Sequence, residues 1–149
     1  MISESGTIAL VEDNDDDLFF MKRALSAAEI TNPLQVLRSG QQAIDYLAGW
    51  GVYADRILHP LPFLMLLDLK LPDVNGFEVL RWIRSDSKLR LLATIILTTS
   101  GESKDIEKAY ALGANSFLIK PSGSDKLLEL VKALKQYWFV HNGFPRLES

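Results

Sequence analysis

Four apolar runs in this chain each stop at a polar group. "IALV" runs into Glu12-Asp13, "FLMLL" into Asp68, "TIIL" into Thr98-Thr99 and "SFLI" into Lys120-Pro121. Each run has the length and the β-branched or aromatic content of a buried strand. In an open parallel sheet the carboxyl ends of the strands share one edge, and ligands bind in the crevice outside it. Acids, a hydroxyl and a lysine spread over most of the sequence are therefore expected to converge.

Between the runs lie amphipathic segments, so strand and helix alternate five times. Strands are expected at Thr7–Val11, Leu34–Leu37, Phe63–Leu67, Thr94–Thr98 and Ser116–Ile119. Leu18, Met21, Leu25 and Ala28 form an apolar stripe in the first helix, and Ala43, Ile44 and Leu47 in the second. Phe77, Leu80 and Ile83 mark the third, Ile106, Ala109 and Ala111 more weakly the fourth, and Leu127, Val131, Leu134 and Trp138 the fifth. Spacings of three and four residues put each set on one helical face. The expected fold is α/β: a doubly wound, five-stranded parallel sheet of order 2-1-3-4-5, flavodoxin-like, with helices on both faces. A length of 149 residues suits one domain, 1–149, with a core at about 7–138 and a C-terminal tail over 139–149. One connection is long, "AGWGVYADRILHPLP", between the second helix and the third strand.

The formal net charge of -3 argues against a nucleic-acid surface as the main partner, which needs a basic stripe. There is no cysteine, hence no disulfide framework and no thiolate chemistry. "MISESGT" lacks the regions of a signal peptide, and no apolar run approaches the ~20 residues of a membrane span. A cytoplasmic location is the expectation.

With order 2-1-3-4-5, strands 1 and 3 are neighbours about 4.8 Å apart, ending in Asp13 and Asp68. Carboxylate oxygens at that separation suit Mg²⁺, which takes one or two carboxylates and keeps waters for a phosphate. Without a cation such carboxylates oppose one another's ionisation. Thr98 ends strand 4. Lys120 ends strand 5, about 9–10 Å from Asp68 by strand spacing, a gap its four-carbon stem can cross. A carboxylate beside a metal site, a lysine and a hydroxyl can attack phosphorus while the positive groups neutralise the phosphoryl oxygens. Asp15 to Asp17 are read as charging the first turn of the first helix, where negative charge is favoured.

The segments "ALVEDNDDD", "LLDLKLPDVNG", "ILTTSG" and "LGANSFLIKPS" resemble response-regulator receiver domains, the phosphoacceptor half of two-component signalling. The resemblance covers residues 7 to about 138. It implies a Mg²⁺-dependent receiver that catalyses its own phosphorylation and dephosphorylation, with Asp68 as phosphoacceptor. It implies Mg²⁺ on Asp13, Asp68 and the backbone carbonyl of Lys70, with Glu12 acting through a metal-bound water. Thr98 becomes the switch hydroxyl, Phe117 the switch aromatic and Lys120 the phosphoryl-binding lysine, and a cis Lys120–Pro121 peptide is implied as well. Thr99 stands where many receivers carry a smaller residue, and with Lys70 it is expected to modulate phosphoryl lifetime.

The implied partner is a sensor histidine kinase. The long loop and "ALKQYWFVHNGFP" resemble single-domain receivers that partner bacterial phytochromes. Without an output domain, readout would run through protein contact or phosphate relay. One helix face cannot bury Tyr137, Trp138 and Phe139 together, so a homodimer through the fourth helix, fifth strand and fifth helix is expected, against a tail folded onto its own domain. Two competing functions are weaker. An aspartate-nucleophile phosphatase needs a second acid where Lys70 stands, and a phosphorylation-independent adaptor needs none of Asp68, Thr98 and Lys120.

Overall fold

Successive apolar side chains along each strand point to opposite faces, which builds two cores on one sheet. The computed structural model describes residues 5–147. The strands are β1 (Thr7–Val11), β2 (Leu34–Leu37), β3 (Pro62–Leu67), β4 (Ala93–Thr98) and β5 (Ser116–Ile119). The helices are α1 (Asp15–Ala27), α2 (Gly40–Ala48), α3 (Gly76–Ser85), α4 (Ser103–Ala111) and α5 (Ser124–Leu134). The sheet order is β2-β1-β3-β4-β5 with every pair parallel, as the alternation requires.

Ile8, Leu10, Leu64, Leu66, Ile95 and Leu97 face α1 and α5. Ala9, Val11, Met65, Leu67 and Ile96 face the layer of α2, α3 and α4. Neighbouring residues of one strand thus serve opposite cores, the period-2 geometry of a sheet covered on both sides. In α1 the expected stripe of Leu18, Met21, Leu25 and Ala28 is buried. In α4 only Ala109 is buried; Ala111 is exposed, contrary to the expected stripe. That helix covers the sheet thinly.

Asn14, Ser39 and Asn75 cap α1, α2 and α3, each side chain accepting a backbone N–H three residues on. The long connection is folded back by Arg56, whose guanidinium donates to the carbonyls of Tyr46 (2.7 Å), Leu47 (2.8 Å) and His59 (3.2 Å). The His59 ring also meets Tyr53, with ring centroids 5.1 Å apart.

Beyond α5 the chain widens into a π-helical segment over Lys135–His141, closed by Asn142 N donating to Tyr137 O at 2.7 Å. The wider turn separates the three consecutive aromatics. Phe139 turns into the core against Phe63, with centroids 5.4 Å apart, and Phe144 packs on the same ring at 4.9 Å. Trp138 is half-buried and Tyr137 exposed. The tail therefore folds onto its own domain, and Phe139 is withdrawn from the surface expected to make a dimer. Among the described residues no helix is long and apolar enough to cross a membrane.

Candidate functional site

The ends of four strands supply the site. Glu12 N donates to Leu37 O (2.9 Å) and Asp68 N to Val11 O (3.1 Å), so the hydrogen-bond ladder carries both acids just past the sheet edge. Lys120 N donates to Thr98 O (2.7 Å), which starts the lysine stem at the same edge. The stem crosses the intervening strand, and Lys120 Nζ reaches Asp68 Oδ2 at 2.9 Å. It also pairs with Glu12 Oε1 and, at 3.2 Å, with Asp17 Oδ2. The side chains of Glu12, Asp68 and Lys120 are 3%, 10% and 11% exposed, against 40% for Asp17.

Three carboxylates around one ammonium leave excess negative charge in a partly dry pocket. Burial pushes the Glu12 carboxyl above its usual range, the nearby Asp68 charge adds to this, and the hydrogen bond from Lys120 only partly opposes it. For Asp68 burial acts in the same upward direction. The Lys120 charge and hydrogen bond, with smaller help from Thr98 and Glu12, outweigh it and hold that carboxyl below its usual range. Burial lowers the Lys120 ammonium, but the hydrogen bond to Glu12 and the charge of Asp68 more than offset it and raise it. The surroundings thus favour the charged forms of Asp68 and Lys120 and disfavour that of Glu12.

Thr98 is fully buried, near enough to Asp68 to favour its charged form, yet its Oγ1 makes no hydrogen bond of proper geometry. A buried hydroxyl without a partner is costly and marks a place where an acceptor is missing. Thr99 lines an open cavity of about 370 Å³ with Asp17, Phe20, Lys120 and Pro121. Lys70 is exposed beside the site, and its backbone N lies 3.3 Å from Asp68 Oδ1. Phe117 is half-buried against the α2–α4 core, one residue along β5 from Leu118, which serves the other face.

The structure adds to the sequence reading at two acids and corrects it at one peptide. Among the described residues the acids whose oxygens lie within 4.8 Å of one another are Glu12, Asp17 and Asp68, a set able to hold a divalent cation. Asp13 is exposed and outside that set; its backbone carbonyl accepts from Arg38 at 3.0 Å. Asp17, read from sequence as a charge on the first helical turn, belongs to the site. The signal lies in helix geometry: side chains tilt toward the helix N-terminus, so the third residue of α1 leans back over the sheet edge. The Lys120–Pro121 peptide is trans, not cis, as are all peptides among the described residues. Trans is the lower-energy isomer by ~0.5–1 kcal/mol, and Lys120 reaches all three acids with it.

Comparison with known proteins fits this geometry. The family model for the response regulator receiver domain matches residues 8–132. The chain belongs to the response regulator receiver domains. It is 38% identical to the probable methanogenesis regulatory protein FilR2 of Methanothrix harundinacea, covering 93% of this chain and 86% of that protein. The phosphorylated cyanobacterial phytochrome response regulator RcpA superposes with a TM-score of 0.88 at 33% identity, over 95% of this chain and 99% of that one. The Mn²⁺-bound form of Rcp1, a response regulator of Synechocystis, superposes at 0.86 with 32% identity and the same coverage. Receiver domains catalyse their own phosphorylation and dephosphorylation at such a pocket, and a cognate histidine kinase is the partner that membership implies.

Proposed function

We propose that this receiver accepts a phosphoryl group on Asp68 from a phosphohistidine of a phytochrome-type sensor kinase. The observation that carries the site assignment is Lys120 Nζ resting 2.9 Å from Asp68 Oδ2, with the unpartnered Thr98 hydroxyl beside the same carboxylate. An Asp68 oxygen forms a bond to phosphorus as the phosphorus–nitrogen bond breaks, and the imidazole leaves with the electron pair. Lys120 and Thr98 then donate to the phosphoryl oxygens, which gives the buried hydroxyl its acceptor. The cluster of Glu12, Asp17 and Asp68 fits a divalent cation, here Mg²⁺; Asp68 would hold it with the neighbouring Asp13 and the Lys70 carbonyl, and Glu12 would assist. When bound, that ion supplies charge neutralisation for the phosphoryl oxygens. Phe117 follows Thr98 as the second part of the switch, and Lys70 and Thr99 set access of attacking water.

The phytochrome assignment is supported by the match to RcpA over nearly the full length of both chains. Transfer from an autophosphorylated phytochrome kinase should label the wild type and spare Asp68→Asn, and hydroxylamine should release the label. No transfer from that kinase, with rapid transfer from an unrelated one, would refute the pairing alone. For assembly we propose a homodimer on the α4–β5–α5 face, with Tyr137 and half-buried Trp138 as the aromatic contribution in place of Phe139. Light scattering showing a monomer at tens of micromolar, with and without phosphorylation, would exclude it.

A further inference from the structure

The transfer described above gives Asp17 no contact with the phosphoryl group, yet this member of the acidic cluster holds the lysine that makes one. A lysine ammonium has three N–H donors, and here all three point at carboxylates: Glu12, Asp68 and Asp17. The first two are buried. Asp17 is the outer one, 40% exposed, at the mouth of the cavity lined by Thr99 and Pro121. It is also firmly placed. It is the third residue of α1, and its backbone N–H donates to the capping Asn14 side chain at 2.9 Å. The helix start therefore fixes where this acid stands, and the N-terminal end of the helix favours its charge.

We propose that Asp17 is a positioning residue that draws one donor of Lys120 outward and thereby raises the concentration of phosphodonor needed to load the site. This rests on Asp68 being the phosphoacceptor. An arriving phosphoryl group brings anionic oxygens that need the lysine's donors. While Asp17 keeps one of them, the group meets an incompletely presented ammonium and a negative charge at the entrance. Both effects weaken binding of the donor and act before the bond to phosphorus forms. The signature is therefore in KM rather than kcat.

The test compares Asp17→Asn, Asp17→Glu and Asp16→Asn with wild type, using acetyl phosphate at saturating Mg²⁺. Asp16 is an exposed acid of the same turn with no contact to Lys120, so it controls for net charge. Asp17→Asn should lower KM by about two- to fivefold, the span of a partly exposed ion pair, with kcat nearly unchanged. Asp17→Glu should restore the wild-type KM, and Asp16→Asn should leave it in place. A second readout needs neither metal nor phosphate: in competitive amidination followed by mass spectrometry, Lys120 should react faster in Asp17→Asn and at the wild-type rate in Asp16→Asn. An unchanged KM in Asp17→Asn overturns the proposal, as does an equal shift in Asp16→Asn. Failure of wild type to take up phosphate overturns the phosphoacceptor assignment instead, and lysine reactivity then decides whether the tether exists.

Discussion

Gly76 shows how little room there is behind Asp68. A Cβ built there would stand 2.3 Å from the Asp68 carbonyl oxygen and 2.7 Å from Leu69 Cα, both backbone atoms that cannot swing away. Gly76→Ala should therefore destabilise the protein by ~1–3 kcal/mol, the usual cost of overpacking, and slow phosphorylation by displacing Asp68. Gly143→Ala meets nothing within 4 Å and should stay within about 0.5 kcal/mol of wild type in urea titration. Tyr46 makes a pH prediction. Burial raises its hydroxyl well above the ordinary range, with Arg56 opposing and Tyr53 adding, and the hydroxyl donates to Pro60 O. A group with a raised folded pKa supports the fold fully below its unfolded pKa, about 10 for Tyr. Above that pH the unfolded chain ionises first and stability falls. Tyr46→Phe should melt lower at neutral pH, by ~1 kcal/mol for the lost hydrogen bond, yet lose less stability between pH 9.5 and 11, as thermal melts across that range would show.

At the scale of elements, strands were the most legible part of the sequence. β1, β2 and β5 have the bounds expected from their apolar runs, while β3 and β4 each begin one residue earlier. The central strands β1, β3 and β4 are buried throughout and have no polar face to blur their pattern. Helices covering one face are read less surely, and α4 shows why: with only Ala109 buried, its pattern is too sparse to fix a stripe. Asp13, Asp68, Thr98 and Lys120 could be placed at one edge because Thr98 ends a strand and the others follow one. Asp17 could not, because its role depends on the direction in which the first turn of α1 projects its side chain. The π-helical segment was also hidden. Consecutive aromatics signal a conflict with a single helical face, but not whether a partner chain or a widened turn resolves it. The structure gives the second resolution, and it can be tested. Phe139→Ala should cost ~3–5 kcal/mol as a core truncation, whereas Tyr137→Ala, on the exposed side, should stay within about 0.5 kcal/mol in urea titration of the dilute, monomeric protein. The reverse order would mean that the tail is not packed on Phe63.

For the whole molecule, the site's electrostatics tie folding to function. Glu12, Asp17 and Asp68 bring three carboxylates to one ammonium, and burial, with the Asp68 charge adding to it, pushes the Glu12 carboxyl upward. A divalent cation that binds only the folded form should stabilise it, by about 2.7 kcal/mol at a hundred times its Kd. The melting temperature should rise with Mg²⁺, and the rise should shrink in Asp68→Asn. An equal rise in both proteins would place the ion elsewhere. Phosphorylation uses the same pocket, so the most direct measurement is intact mass after incubation with acetyl phosphate and Mg²⁺. Wild type should gain one phosphoryl group and Asp68→Asn none. Undiminished labelling of Asp68→Asn would contradict the account.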